Sequence, residues 1–129
     1  MSDNQIVVDG ISKGFGSLSV VRDVHFDVAD GEFVAIVGPS GCGKSTLLNI
    51  IAGFERADRG AVRIDGAKVA GPSRNGIMIS QHGSVFPWLT VQDNVMFGLT
   101  GAGQAERMEL AHRYIEMVGL SGFEKAYPH

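Results

Sequence analysis

The residues best equipped for chemistry stand together between Gly38 and Thr46. Gly38-Pro39-Ser40-Gly41-Cys42-Gly43-Lys44-Ser45-Thr46 fits the spacing G-x-x-x-x-G-K-[ST]. Glycines at 38, 41 and 43 let successive backbone N–H groups converge on one anion, and a helix opening at Gly43 or Lys44 adds the positive end of its dipole. Lys44 is then in reach of the β- and γ-phosphates of a nucleotide, and the Ser45 hydroxyl can ligate Mg²⁺. The competing reading is a plain glycine turn, and with four constrained positions an accidental match arises on the order of 1% of the time. The flanks reduce that further. The apolar run Phe33 to Val37 precedes the loop, and Leu47, Leu48, Ile50 and Ile51 follow it, as a strand–loop–helix unit requires. Cys42 lies inside the loop, where filling space is the bland role and redox chemistry the sharp one; bound nucleotide is expected to shield it.

The composition bounds what can surround this loop. The chain has 129 residues, 44% hydrophobic and 19% charged, the proportions of one soluble globular domain rather than a disordered tail or a disulfide scaffold. A formal charge of −3 argues against nucleic acid as a partner and against an anionic surface held by charge alone. Any phosphate must be held by local geometry. There are 18 glycines where average usage gives roughly nine, so tight turns or close backbone approaches are needed. One cysteine makes no internal disulfide, and the opening MSDNQ carries no signal region; the cytoplasm is the expected compartment.

Periodicity supplies the elements that position the loop. Ile6 to Val8, the alternation Val24, Phe26, Val28, and the run Phe33 to Val37 read as strands, with a turn at Asp30-Gly31. A continuous apolar strand demands cover on both faces, so Phe33 to Val37 is expected inside a sheet. A helix over 44–52 should end at Gly53. Ala61 to Ile64, Asp65-Gly66 and Ala67 to Val69 read as a hairpin, and Gly76 to Ser80 as another buried strand. Thr90 with Asp93 resembles a capping box, and Met108, Ala111, Ile115 and Val118 share one face of a helix closed by Gly119. Asp9 and Asp65, each before a glycine, read as turn residues, and His82, with no second ligand at a metal spacing, as an ordinary loop residue.

Several further stretches carry a resemblance. Lys13-Gly14-Phe15-Gly16, the loop 38–46 (a Walker A motif), Leu47-Leu48-Asn49-Ile50-Ile51-Ala52-Gly53, Gly60-Ala61-Val62-Arg63-Ile64-Asp65-Gly66, Ser80-Gln81, Phe86-Pro87-Trp88-Leu89-Thr90-Val91 and Asp93-Asn94-Val95 resemble the amino-terminal half of an ABC transporter ATP-binding subunit. The Pro-Trp-Leu-Thr-Val wording is most similar to importers of nitrate, sulfonate and taurine. The resemblance runs from about Ile6 to His129. It implies an α/β fold, the P-loop NTPase core of ABC type, with an antiparallel β subdomain at the N-terminal side and the start of a helical subdomain. Residues 1–89 would be a partial ATPase core and residues 90–129 the start of the helical subdomain.

The resemblance also implies roles. ATP and Mg²⁺ are the expected cofactors, held by Gly38, Pro39, Ser40, Gly41, Cys42, Gly43, Lys44, Ser45 and Thr46, with Thr46 adding a contact to the α-phosphate. Lys44 and Gln81 are the expected catalytic residues, and Ser45 and Gln81 those near the metal. Phe15 would stack on adenine, against the alternative that it is core; Gly14 and Gly16 suit an exposed loop better than a strand. The segment Phe86 to Val95 would face an integral-membrane permease subunit, although core packing explains Phe86, Trp88 and Leu89 as readily. A second ATP-binding subunit in a head-to-tail dimer and, indirectly, a substrate-binding protein complete the expected partners, on the inner face of the cell membrane.

Other parts of that family's pattern do not occur. Between Gln81 and His129 no apolar run ends in Asp-Glu, and no Leu-Ser-Gly-Gly signature is found. The expectation is therefore an amino-terminal part of a longer subunit. Alone it would hydrolyse ATP negligibly, and its parallel strands would keep unpaired edges that favour instability or association. The competing reading is a non-hydrolysing fragment that binds nucleotide or a partner.

Overall fold

A computed structural model describes residues 4–74, 76–81, 83–101 and 103–129. The chain divides into two compact units, Met1–Met78 and Ile79–His129.

In the first unit, β1 (Asn4–Phe15) and β2 (Leu18–Ala29) form a long antiparallel hairpin. β3 (Arg59–Ile64) pairs with the other edge of β1, and β4 (Ala67–Lys68) with β3, giving the order β2-β1-β3-β4. The helix α1 (Lys44–Ile51) lies between β2 and β3 in sequence. Its Leu47 and Ile50 pack with Val8, Ile11, Val21 and Val62 of the sheet to make the core. The spacing of three in Val8…Ile11 and Val21…Val24 breaks strand alternation. Register shifts between Val8 and Ile11 and between Ile11 and Lys13 accommodate it, with Asp23 at φ 44°, as a bulge does when it returns the next apolar side chain to the same face.

This bulge corrects the reading of Asp9, which stands within β1 and not in a turn. Gly10 N–H donates to His25 Nδ1 at 3.1 Å, while His25 Nε2 is 3.0 Å from Asp23 Oδ1. The other turn expectations hold. Asp65 and Gly66 both have positive φ, 50° and 77°, the signature of a type I′ hairpin, and Glu32 N–H closes the turn at Asp30-Gly31 by bonding Ala29 O at 3.1 Å. Helix α1 ends where Gly53 predicts: Gly53 N–H bonds Ile50 O at 3.1 Å and Phe54 N–H bonds Asn49 O at 2.9 Å, a Schellman closure.

Two expectations fail. Phe33 to Val37 and Gly76 to Ser80 are in no strand, and Phe33 is 92%, Ile77 90% and Ile79 91% exposed. Their apolar character is that of central parallel strands, and among the described residues no strand pairs with either segment. Burial needs neighbours that an apolar run cannot provide for itself.

In the second unit, α2 (Val91–Gly98) and α3 (Gln104–Met117) pack together. Thr90 caps α2 as its spacing predicts: its Oγ1 accepts from Asp93 N–H at 3.1 Å and donates to Asp93 Oδ2 at 2.8 Å. The preceding N–H groups are satisfied by the chain's final segment, Val91 bonding Ala126 O at 2.9 Å and Gln92 bonding Glu124 O at 3.0 Å. On α3, Ala111 and Ile115 are buried, but Met108 and Val118 at the ends of the stripe are exposed. Gly119 closes α3 through Gly119 N–H to Glu116 O and Leu120 N–H to Ile115 O, both 2.9 Å.

Candidate functional site

The loop 38–46 is built from the end of a segment outside any strand, a turn at 40–41, and the first turn of α1. Gly43 is the N-cap, at φ 99°. A Cβ there would stand 2.8 Å from the Val20 carbonyl oxygen, so only glycine lets the loop seat directly on β2. Gly41 is also left-handed, at φ 78°. The first helical hydrogen bond is Leu47 N–H to Gly43 O at 2.9 Å. Helix geometry leaves the N–H groups of Lys44, Ser45 and Thr46 directed out of the N-terminus, the arrangement that receives an anion.

Lys44 folds back into this loop. Its Nζ donates to Gly38 O at 2.8 Å and to Pro39 O at 2.7 Å, and stands 3.5 Å from Cys42 Sγ. The ammonium thus bridges the loop's own carbonyls, the place a phosphate oxygen competes for. Cys42 is exposed, and a Cβ at Gly38 would meet its sulfur at 2.9 Å. These features fit a nucleotide phosphate: a ring of donors, one cation and two backbone positions that exclude side chains. For Mg²⁺ the first unit offers the exposed Ser45 hydroxyl. Among the described residues no group of three or more His, Cys, Asp or Glu could hold a metal ion.

Phe15 is not in a loop but is the last residue of β1, paired with Leu18 across the Gly16-Ser17 turn. It is 49% exposed, so it is not core either. Because Val20 is two residues beyond Leu18 on β2, the Phe15 hairpin tip and the phosphate loop are joined through the Val20–Gly43 seat. The tip is clamped from the segment after α1. Gly14 N–H donates to Asp58 Oδ2 at 2.8 Å, Asp58 N–H to Ser12 O at 2.9 Å, and Lys13 Nζ bridges Glu55 Oε1 at 2.9 Å and Asp58 Oδ1 at 3.5 Å. The hydrogen bond from Lys13 holds the Glu55 carboxyl below its ordinary range, the Gly14 N–H does the same for Asp58, and the bond to Glu55 raises Lys13. Nothing in the local sequence signals this clamp, whose partners are 44 residues apart at Gly14 and Asp58.

Gln81 stands in the second unit, exposed and at a turn, whereas Phe15 and the loop belong to the first. His82 lies outside the described residues. Beyond it, Trp88 is 70% exposed. It leans on Phe86 with ring centroids 5.5 Å apart, and Phe86 on Phe97 at 4.5 Å. Asn94 holds this turn: its Oδ1 accepts from Phe86 N–H at 2.8 Å, and its Nδ2 is within 3.0–3.1 Å of the carbonyls of Phe86, Leu89 and Thr90. The run Asp93-Asn94 marked the place without revealing that role.

The chain is similar to known proteins. The chain is 45% identical over 115 residues to the nitrate import ATP-binding protein NrtD of Synechocystis sp., covering 88% of this chain and 43% of that protein. It is 42% identical over 115 residues to the taurine import ATP-binding protein TauB of Escherichia coli, covering 88% and 45%. The fold superposes with a TM-score of 0.77, at 29% identity, on the ATP-binding cassette MJ0796, solved as a dimer in a post-hydrolysis state bound to ADP and Pi; the match covers 95% of this chain and 61% of that one. The chain spans about half the length of the curated relatives it matches. The ABC transporter family profile matches residues 21–129, a span that takes in the loop 38–46 and the Asn94-held turn, and the chain belongs to the ABC transporter family.

Proposed function

We propose that this chain is part of the ATP-binding subunit of an ABC importer, which couples ATP binding and hydrolysis to uptake of a small oxyanion or sulfonate. The observation that carries it is the loop 38–46: left-handed Gly41 and Gly43, the N-terminus of α1, and Lys44 bridging Gly38 O and Pro39 O. Gly38 to Thr46 would hold the phosphates, Lys44 would neutralise their charge, Ser45 would ligate Mg²⁺ and Phe15 would take the adenine, while a role for Gln81 near Mg²⁺ rests on the family resemblance. Bound Mg²⁺ supplies charge neutralisation across the phosphates and orients them for attack by water. The kinship to nitrate and taurine import proteins supports the substrate class.

Residues 1–89 form part of the ATPase core and residues 90–129 the start of its helical subdomain. The turn 86–95 meets the permease, for which the exposed Trp88 backed by Phe86 offers an aromatic anchor of the kind interfaces use. A second ATP-binding subunit completes the assembly, as the dimeric state of MJ0796 supports. No helix among the described residues is long and apolar enough to cross a membrane, and attachment to the cytoplasmic face runs through the permease. Calorimetric titration with ATP and Mg²⁺ tests the core of this reading. Binding should appear in the native chain and be lost in Lys44→Ala; equal binding by both would remove the assignment.

A further inference from the structure

Lys13 has no role in the chemistry so far assigned, yet it is the most constrained cation on the hairpin. Its side chain is only 12% exposed. Its Nζ is fixed by Glu55 and Asp58 and stands 5.1 Å from the centroid of the Phe15 ring. The same Asp58 holds Gly14 N–H, and its own N–H holds Ser12 O. The three residues immediately before Phe15 are therefore tied at four points to the segment 55–58.

We propose that Lys13 is a positioning residue for nucleotide binding: it holds one face of the Phe15 ring and so presents the other to the adenine of ATP. This rests on the reading of Phe15 as the adenine platform. Phe15 closes a strand at a two-residue turn, where a ring with no neighbour would sample several rotamers and surrender that freedom on stacking. A cation over one face removes part of that freedom beforehand. It also draws the ring's π-density toward itself, which leaves the opposite face better matched to an electron-rich base. The carboxylates matter in turn because they aim the ammonium; without them a lysine stem has many other rotamers.

The test compares Mg-ATP with Mg-tripolyphosphate, which carries the phosphates and no base, by calorimetry on the whole chain. Lys13→Met should weaken ATP about five-fold, the scale of an exposed cation–π contact, and leave tripolyphosphate within two-fold. Lys13→Arg should restore ATP affinity. Glu55→Gln, which frees the ammonium without removing it, should fall between. In a Phe15→Ala background Lys13→Met should have no further effect. If Lys13→Met weakens both ligands equally, or still weakens ATP when Phe15 is alanine, the lysine acts through general charge or fold and the proposal is overturned. If Phe15→Ala weakens ATP but Lys13→Met does not, the proposal falls while the adenine platform stands. If Phe15→Ala leaves the ATP-to-tripolyphosphate ratio unchanged, the platform itself is wrong and the proposal goes with it.

Discussion

Gly43 and Val20 touch backbone to backbone: a Cβ on Gly43 would lie 2.8 Å from the Val20 carbonyl oxygen and 3.0 Å from its Cγ1. Gly43→Ala therefore meets two penalties, a left-handed φ of 99° and a clash with a strand that cannot yield cheaply. A loss of about 1–3 kcal/mol is expected, together with loss of ATP binding because the loop lifts off β2. Gly41→Ala shares only the first penalty, since nothing lies within 4 Å of its Cβ position. Urea unfolding of the two variants checks this, and Gly43→Ala should have the lower midpoint.

Lys44 and Cys42 give a second prediction, free of any other thiol in the chain. Mg-ATP must compete for the ammonium that now bonds Gly38 O and Pro39 O, and it would cover Cys42 beside it. Thiol labelling of Cys42 should slow at least ten-fold in saturating Mg-ATP. In Lys44→Ala the protection should vanish at the same nucleotide concentration, because a charge-assisted contact of about 1.5–3 kcal/mol is gone. Equal labelling rates with and without Mg-ATP in the native chain would count against the phosphate loop.

What the sequence could and could not reveal follows from the range of each interaction. Turns and caps are local: Asp65-Gly66, Gly53, Gly119 and the Thr90–Asp93 cap follow from φ preferences and side-chain reach within a few residues. The loop 38–46 can be proposed as a phosphate site for the same reason, its residues being packed into nine successive positions. Phe33 to Val37 and Gly76 to Ser80 were misjudged because an apolar run reports what a segment needs and not whether a partner strand is present. The long β1–β2 hairpin is not legible beyond Ile6 to Val8 and Val24 to Val28, because its bulge at Gly10 and Asp23 breaks alternation. The clamp of Lys13 and Gly14 by Glu55 and Asp58 was invisible, since no periodicity links residues that far apart.

That clamp makes stability depend on pH in both directions. Glu55 and Asp58 are held below their ordinary values of 4.5 and 3.8, so their contribution is present above those values and is lost as pH falls through the depressed ones. Lys13 is raised above 10.5; its contribution is present below that value and lost as pH rises through the raised one. All three act together between about pH 5 and 10. Urea midpoints measured against pH should show both limbs flattened in the Glu55→Gln, Asp58→Asn double variant. Part of the acid limb should survive, because Gly122 N–H likewise depresses Glu124 in the second unit. Lys13→Met should remove the alkaline limb and most of the Glu55 share of the acid one, whereas Asp58 keeps its bond from Gly14.

Asn94 offers the fourth prediction, read by the single tryptophan. The Asn94 amide accepts from Phe86 N–H and shares its two N–H donors among the carbonyls of Phe86, Leu89 and Thr90 in the turn that carries Trp88, of which Phe86 O also accepts from Leu89 N–H and Thr90 O from Asn94 N–H. Asn94→Ala takes the side-chain partner from Phe86 N–H and Leu89 O, a cost of about 1–3 kcal/mol. Asn94→Asp is expected to be worse despite its matching shape: it keeps the acceptor for Phe86 N–H but sets a carboxylate oxygen against the carbonyls of Phe86, Leu89 and Thr90. Trp88 emission should change in both variants, and quenching by iodide or acrylamide should rise as the turn loosens from Phe86. The order of destabilisation, aspartate beyond alanine, distinguishes a hydrogen-bonding hub from a residue that merely fills space, for which the near-isosteric aspartate would be the milder change.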